Sequence, residues 1–326
     1  MDRRNACRTL AAFAAFSIAR VDAQPTDRIR VAWVSMDHDG SDSPPLAAFR
    51  AGMATLGYVE GRNLTLDGWW GQGSAERLQA MADDAKQPRP DVFVTQGGSA
   101  LAPLLAARVR TPIVFGMSAD PVEAKIVESY ARPGGNITGV TLFAAELTGK
   151  RLGLLKAVLP DLKRVAVIAN PQHPGSTKEV QAARDAAGAL GLAVRYFPVQ
   201  TESELDAALA EISKARIDAA MVIFDGFALE NAARIGAYSV QNRIAVVAGW
   251  ATAAQRGSLM AYGPVSAEIY RRVASYVDLI HKGAKPGDLP IEQPTQFEFV
   301  VNLHTAKALG LTIPASLLAS ADKVIQ

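Results

Sequence analysis

The chain has 326 residues, of which 49% are hydrophobic and 20% charged, with a formal net charge of +2. That length accommodates two domains, and the composition is that of a globular protein. The near-neutral balance gives no basis for a nucleic-acid or anionic-membrane partner, because both are recognised through concentrated basic surface.

The amino terminus is positively charged through Arg3 and Arg4 and continues into an apolar run from Leu10 to Ala19. Small residues at Val21-Asp22-Ala23 and polar Gln24-Pro25 follow. This three-part pattern predicts a secretory signal over residues 1–23, cleaved near Ala23-Gln24, and the run is too short to span a bilayer. The Arg3-Arg4 pair leaves general secretory and twin-arginine export both open. Cys7 is the only cysteine and precedes the apolar run, so a mature chain would hold no disulfide, thiol nucleophile or thiolate metal site. Further on, no apolar stretch reaches the length of a membrane span, and the mature protein is expected not to cross one.

In chain order, Ile29 to Val34 reads as a strand, and Pro44-Pro45 opens a helix with Leu46, Phe49, Met53 and Leu56 on one face. A strand from Asn63 to Asp67, a helix from Ser74 to Lys86 and a strand from Asp91 to Thr95 come next. Gln96-Gly97-Gly98-Ser99 leads a helix to Arg108. Pro112 to Phe115 is a strand, and Asp120-Pro121 signals a helix with Asp120 as N-cap. Pro133-Gly134-Gly135-Asn136 turns into a strand from Ile137 to Leu142. Strands separated by helix-length segments make βαβ units and a parallel sheet.

The pattern then restarts. Glu146 to Leu159 reads as a helix and Arg164 to Ala169 as a strand; Ser176-Thr-Lys-Glu179 and Thr201-Glu-Ser-Glu204 are capping-box signatures flanking a strand at Ala193 to Pro198. Strands follow at Ala219 to Phe224, Ile244 to Ala248 and Ser258 to Ala261, then a helix from Pro264 to Lys282. A proline-rich connector from Lys285 to Pro294, a strand from Phe297 to Val301 and two short helices close the chain. The expected lobes are residues 28–141 plus 262–284 and residues 142–261 plus 285–326. Crossovers are placed near Gly139 to Ala144, Ala253 to Gly263 and Lys282 to Pro290.

Several segments together resemble ABC-transporter substrate-binding proteins of the tryptophan-binding type. They are LAAFRAGMATLGYVEGRNL from Leu46, DVFVTQGGSAL from Asp91, PIVFGMSADPVEAKIVESYARPGGNITGVT from Pro112 and ELTGKRLGLLKAVLP from Glu146. The tail from KPGDLPIEQPTQFEFVVN to the final residue matches as well. The resemblance covers essentially the whole mature chain. It implies an α/β fold with two Rossmann-like parallel-sheet lobes in a class I periplasmic-binding-protein clamshell with three hinge crossovers. It further implies a periplasmic, non-enzymatic, monomeric protein that captures an amino acid or similar zwitterion and hands it to an ABC permease and its ATPase subunit.

Ligands of open α/β sheets bind at the carboxyl ends of the strands. Gly97, Gly98 and Ser99 open a helix there, where free backbone N–H groups and the helix dipole suit a carboxylate, with Thr95 as an added donor. The same glycines also suit a tight turn. Ser118 is a further candidate contact, whereas Asp120 reads first as a cap. Ser35, Asp37 and Ser41 follow the first strand, as ligand contacts or as a solvated loop. In the second half, Asn170 follows one strand, and Asp225 and Phe227 another. Asp225 is the candidate for a ligand ammonium, or else a helix N-cap. Phe143 and Trp250 either stack on the ligand or pack the core, while Trp69 and Trp70 read as structural.

Enzyme motifs are sparse. Gly71-Gln72-Gly73 lacks the third glycine of a dinucleotide fingerprint, no P-loop or nucleophile elbow occurs, and the four histidines have no metal-ligand spacing. No cofactor or metal is expected. The alternatives are a cytoplasmic sensor or regulator on the same clamshell, which would require a DNA-binding helix-turn-helix, and a Rossmann-type enzyme.

Overall fold

A computed structural model describes residues 28–38, 43–84, 88–142, 144–223 and 225–326. The expected signal segment, Ser41 and Phe143 lie outside these residues.

The first lobe begins with β1 (Ile29–Ser35), α1 (Pro44–Thr55), β2 (Leu64–Trp70), α2 (Ala75–Asp83) and β3 (Val92–Gln96). It continues with α3 (Gly98–Ala106), β4 (Ile113–Met117) and β5 (Ile137–Thr141). The strands form a five-stranded parallel sheet in the order β2-β1-β3-β4-β5. Every residue of β3, β4 and β5 is buried, the mark of strands covered by helices on both faces.

The second lobe has α4 (Thr148–Val158), β6 (Arg164–Ala169), α5 (Ser176–Ala189), β7 (Ala193–Pro198), α6 (Glu202–Lys214) and β8 (Ala219–Val222). Next come α7 (Gly226–Glu230), α8 (Ala232–Asn242), β9 (Ala245–Ala248), α9 (Ala251–Gln255) and β10 (Met260–Pro264). The chain then returns to the first lobe as α10 (Ser266–His281) and a 3₁₀ turn (Pro286–Asp288). It ends with β11 (Phe297–Asn302), α11 (Leu303–Leu309), α12 (Ala315–Ser320) and β12 (Lys323–Ile325) on the second lobe. Seven strands pair in the order β12-β11-β10-β9-β8-β6-β7, with β11 antiparallel to β10.

The amphipathic α10 belongs to the first lobe because its buried face, including Tyr270, Val273 and Val277, seals that lobe's core. Trp33 of β1 packs between Phe49 of α1 and Tyr270 in tilted ring contacts, with ring centroids 5.5 and 5.4 Å away. Burying each such ring contributes about 1.5–3 kcal/mol or more. α1 and α10 lie close because residue 52 is glycine; a Cβ there would stand 2.8 Å from Ala274 Cβ.

Strand pairing shifts the expected crossovers. Residues 262–264 still pair in β10, so the second passage is at Val265 rather than Ala253 to Gly263. Residues 286–292 run along β5, with Glu292 N donating to Gly139 O at 3.1 Å and Thr141 N to Glu292 O at 2.9 Å. The third passage therefore falls after Glu292, not at Lys282 to Pro290. Val265 N donates to Gln296 O at 3.1 Å, joining the second and third passages directly.

Two local expectations give way. No helix follows Pro121; Asp120 accepts from the backbone N–H groups of Val122 and Glu123 at 2.9 and 3.1 Å, but only turns follow. Lys125 adopts a left-handed φ of 56°, which ends helical continuation. The Ser176 capping box is also absent: α5 is capped by Gly175 without a side-chain bond, and Glu179 points into the protein. At α6, by contrast, the Thr201–Glu204 box forms completely.

Candidate functional site

The carboxyl ends of the two sheets face each other. A Cβ on Gly98 would stand 2.9 Å from Pro174 Cγ, and one on Gly226 would stand 3.5 Å from Met36 Cβ and 3.8 Å from Asp37 Oδ1. First-lobe loops after β1 and β3 thus meet second-lobe loops after β6 and β8. A cavity of about 250 Å³ remains between them. Met36, Glu76, Ser99 and Ala102 line one wall; Asn170, Gln172, Asp225, Phe227 and Glu230 line the other.

The first wall is built by the turn from β3 into α3. Gly97 has φ +86° and donates to Gly116 O at 2.8 Å, a conformation that suits glycine. The turn aims the amino end of α3, with Gly98 and Ser99, toward the opposite lobe. Ser99 Oγ is inaccessible to solvent and has no hydrogen-bond partner among the described residues. Thr95 Oγ1 is likewise buried and unpaired, but it lies inside β3 and not on the cavity wall.

Behind this wall, Ser35 Oγ accepts from Asp37 N at 3.1 Å, and Gln96 donates to Asp37 Oδ2 at 3.1 Å. Burial pushes the Asp37 carboxyl up, further raised by the Glu230 charge; the bonds from Ser35 and Gln96 act against that rise. Ser35 is fully buried, so it shapes the loop and does not contact the cavity.

On the second wall, Asp225 does two things. Its Oδ1 accepts from Ala228 N at 2.9 Å, capping α7, and its Oδ2 accepts from Asn170 at 2.8 Å. The cap reading is correct, yet the carboxylate still lines the cavity. Phe227 presents a half-buried ring beside it. Trp250 does not line the cavity; it precedes α9 and joins the hydrophobic core.

Ser118 lies elsewhere in the interface. A second cavity of about 400 Å³ opens beside the first passage, lined by Ser118, Asp120, Tyr130, Lys178 and Glu179 among others. Ser118 Oγ and His173 Nε2 are 2.6 Å apart, joining the two lobes, and Glu179 Oε1 lies 3.3 Å from the same nitrogen. Burial pulls the His173 imidazole down, but the Glu179 bond and charge, with Asp225, outweigh it and raise its pKa. Lys178 bridges Glu123 at 2.9 Å and Asp120 at 3.8 Å across the same gap. Nearby, buried Arg151 donates to Tyr262 O at 2.9 Å and Ala144 O at 3.1 Å. Burial pulls its guanidinium down to about 10.

Sequence reasoning missed His173, Glu76, Glu230 and His38; His38 contacts Glu230 across the lobes. The signal available for His173 was its position just beyond β6, at the same sheet edge as Asn170. Among the described residues no group of three His, Cys, Asp or Glu side chains is arranged to hold a metal ion. No described helix is long and apolar enough to cross a membrane.

Comparison with known proteins gives concordant results. A family model described as "ABC transporter substrate binding protein" matches residues 29–325. The chain is 24% identical over 276 residues to a tyrosine-binding protein of Clostridioides difficile (strain R20291), covering 85% of this chain and 79% of that protein. Among solved structures, an ABC domain from Streptococcus pneumonia in complex with L-Trp superposes with a TM-score of 0.84 at 22% identity, covering 92% of this chain and 100% of that one. A conserved domain protein from Vibrio cholerae gives a TM-score of 0.82 at 26% identity, covering 92% and 99%.

Proposed function

The chain belongs to the family of ABC transporter substrate-binding proteins, and from that premise we propose that it captures an amino acid or similar zwitterion between its lobes. That family binds substrates and is not a family of enzymes. The observation that carries the ligand class is the pairing of opposite poles across one cavity. The amino end of α3 with Ser99 suits a carboxylate on the first wall, and Asp225 suits an ammonium on the second. Relatives named for tyrosine and solved with L-Trp support the same class.

The mechanism follows from the two-lobe arrangement. A ligand touching both walls binds the closed form more tightly than the open one, and only that difference drives closure. Micromolar affinity needs about 8 kcal/mol. Two charge-assisted anchors and burial of an apolar group against Phe227 supply a sum of that order. Export through the amino-terminal signal and delivery of the closed complex to a permease and its ATPase complete the proposal, with the protein acting as a monomer.

A calorimetric screen of the twenty amino acids and small carboxylates tests the ligand class. Saturable heat with an amino acid supports it, and no heat with any of them refutes it. Cell fractionation tests export, which requires mature protein beginning near Gln24 outside the cytoplasm.

A further inference from the structure

The charge of the interlobe cavity is one-sided. Glu76 from α2, and Asp225 and Glu230 from the second lobe, line it, and no lysine, arginine or histidine does so among the described residues. A neutral zwitterion uses one carboxylate and leaves Glu76 and Glu230 without a ligand partner. Among the described residues neither of those two forms an ion pair with a lysine or arginine. Glu76 accepts from Ser74 Oγ at 2.7 Å, and Glu230 contacts the imidazole of His38.

From this surplus of carboxylates facing an unpartnered Ser99 hydroxyl, we infer that the cavity selects a basic amino acid, one with a second cationic group on its side chain. The inference rests on the zwitterion reading above. The ligand carboxylate meets Ser99 and the α3 amino end, its α-ammonium meets Asp225, and its side-chain cation lies between Glu76 and Glu230. Phe227 adds a ring face, on which a guanidinium stacks favourably. Two exposed carboxylates acting on one cation are expected to favour it by up to about tenfold over a neutral isostere.

Calorimetry with arginine and its uncharged isostere citrulline reads this directly, and lysine with norleucine repeats it for an ammonium. The expected result is a dissociation constant about tenfold lower for each cationic member. Glu76→Gln with Glu230→Gln should bring the ratio of the two dissociation constants close to one, and a ratio still near tenfold in that variant would overturn the inference. Citrulline, norleucine, tyrosine or tryptophan binding as tightly as arginine would overturn this inference and leave the zwitterion reading standing. Binding of agmatine, which lacks the carboxylate, as tightly as arginine would refute the carboxylate pole of that reading and not the cation preference. Silence with every amino acid, charged or neutral, refutes both.

Discussion

Ser118 of the first lobe and His173 of the second lie within 2.6 Å of each other, a hydrogen bond that exists only while the lobes are together. Ser118→Ala removes it, and a net value of about 0.5–1.5 kcal/mol predicts a two- to tenfold rise in the ligand dissociation constant. Lys178 crosses the same gap to Asp120 and Glu123, but Lys178 and Glu123 are solvated and Asp120 is partly so. Lys178→Met is therefore expected to change affinity less than about twofold. Titration of both variants with the same ligand separates the two contributions.

His173 makes stability depend on pH. Its pKa in the folded protein lies above the ordinary value, because Glu179 and Asp225 outweigh the opposing effect of burial. A base with a raised folded pKa contributes stability that is complete below the unfolded value of about 6.5 and is lost as pH rises through the folded one. Urea midpoints should therefore fall as pH increases across that window, and Glu179→Gln should flatten the slope. An unchanged slope in that variant would remove Glu179 as the cause.

Gly139 is a steric requirement of the first lobe. It pairs with Phe115 between β5 and β4, and a Cβ there would stand 2.1 Å from Phe115 O. Gly139→Ala should cost at least about 2 kcal/mol in chemical unfolding, since backbone must move to admit the methyl group. In α4, by contrast, a Cβ on Gly153 would meet nothing within 4 Å. Gly153→Ala should stabilise the chain by about 0.4–1 kcal/mol.

The order of strands and helices was readable because hydrophobic period and glycine turns repeat along the chain. Thr201 capped as its spacing suggested, since Glu204 turns back to accept from the backbone N–H groups of Gln200 and Thr201. Ser176 did not, because Glu179 at the same spacing serves the buried His173 instead. The turn after Pro121 also escaped the pattern: Asp120 supplies a cap, but the next residues contribute no helix. Within the site, Asn170, Asp225, Phe227 and Ser99 come together on one cavity, all of them just past strand ends. Glu76 and Glu230 were not legible because each lies on a helix, and what brings them to one cavity is the apposition of the two lobes. Such a pairing is a property of closure, and no local sequence signal encodes it.

Asp225 offers the most direct test of the zwitterion site, because Asn caps a helix as well as Asp does while removing the charge. Asp225→Asn should keep the Ala228 N–H bond and the thermal midpoint. In calorimetry with an amino acid that binds the wild-type chain, it should weaken binding by about 10- to 100-fold, the loss of one charge-assisted bond of about 1.5–3 kcal/mol. Equal affinity in the variant and the wild-type chain would contradict the account.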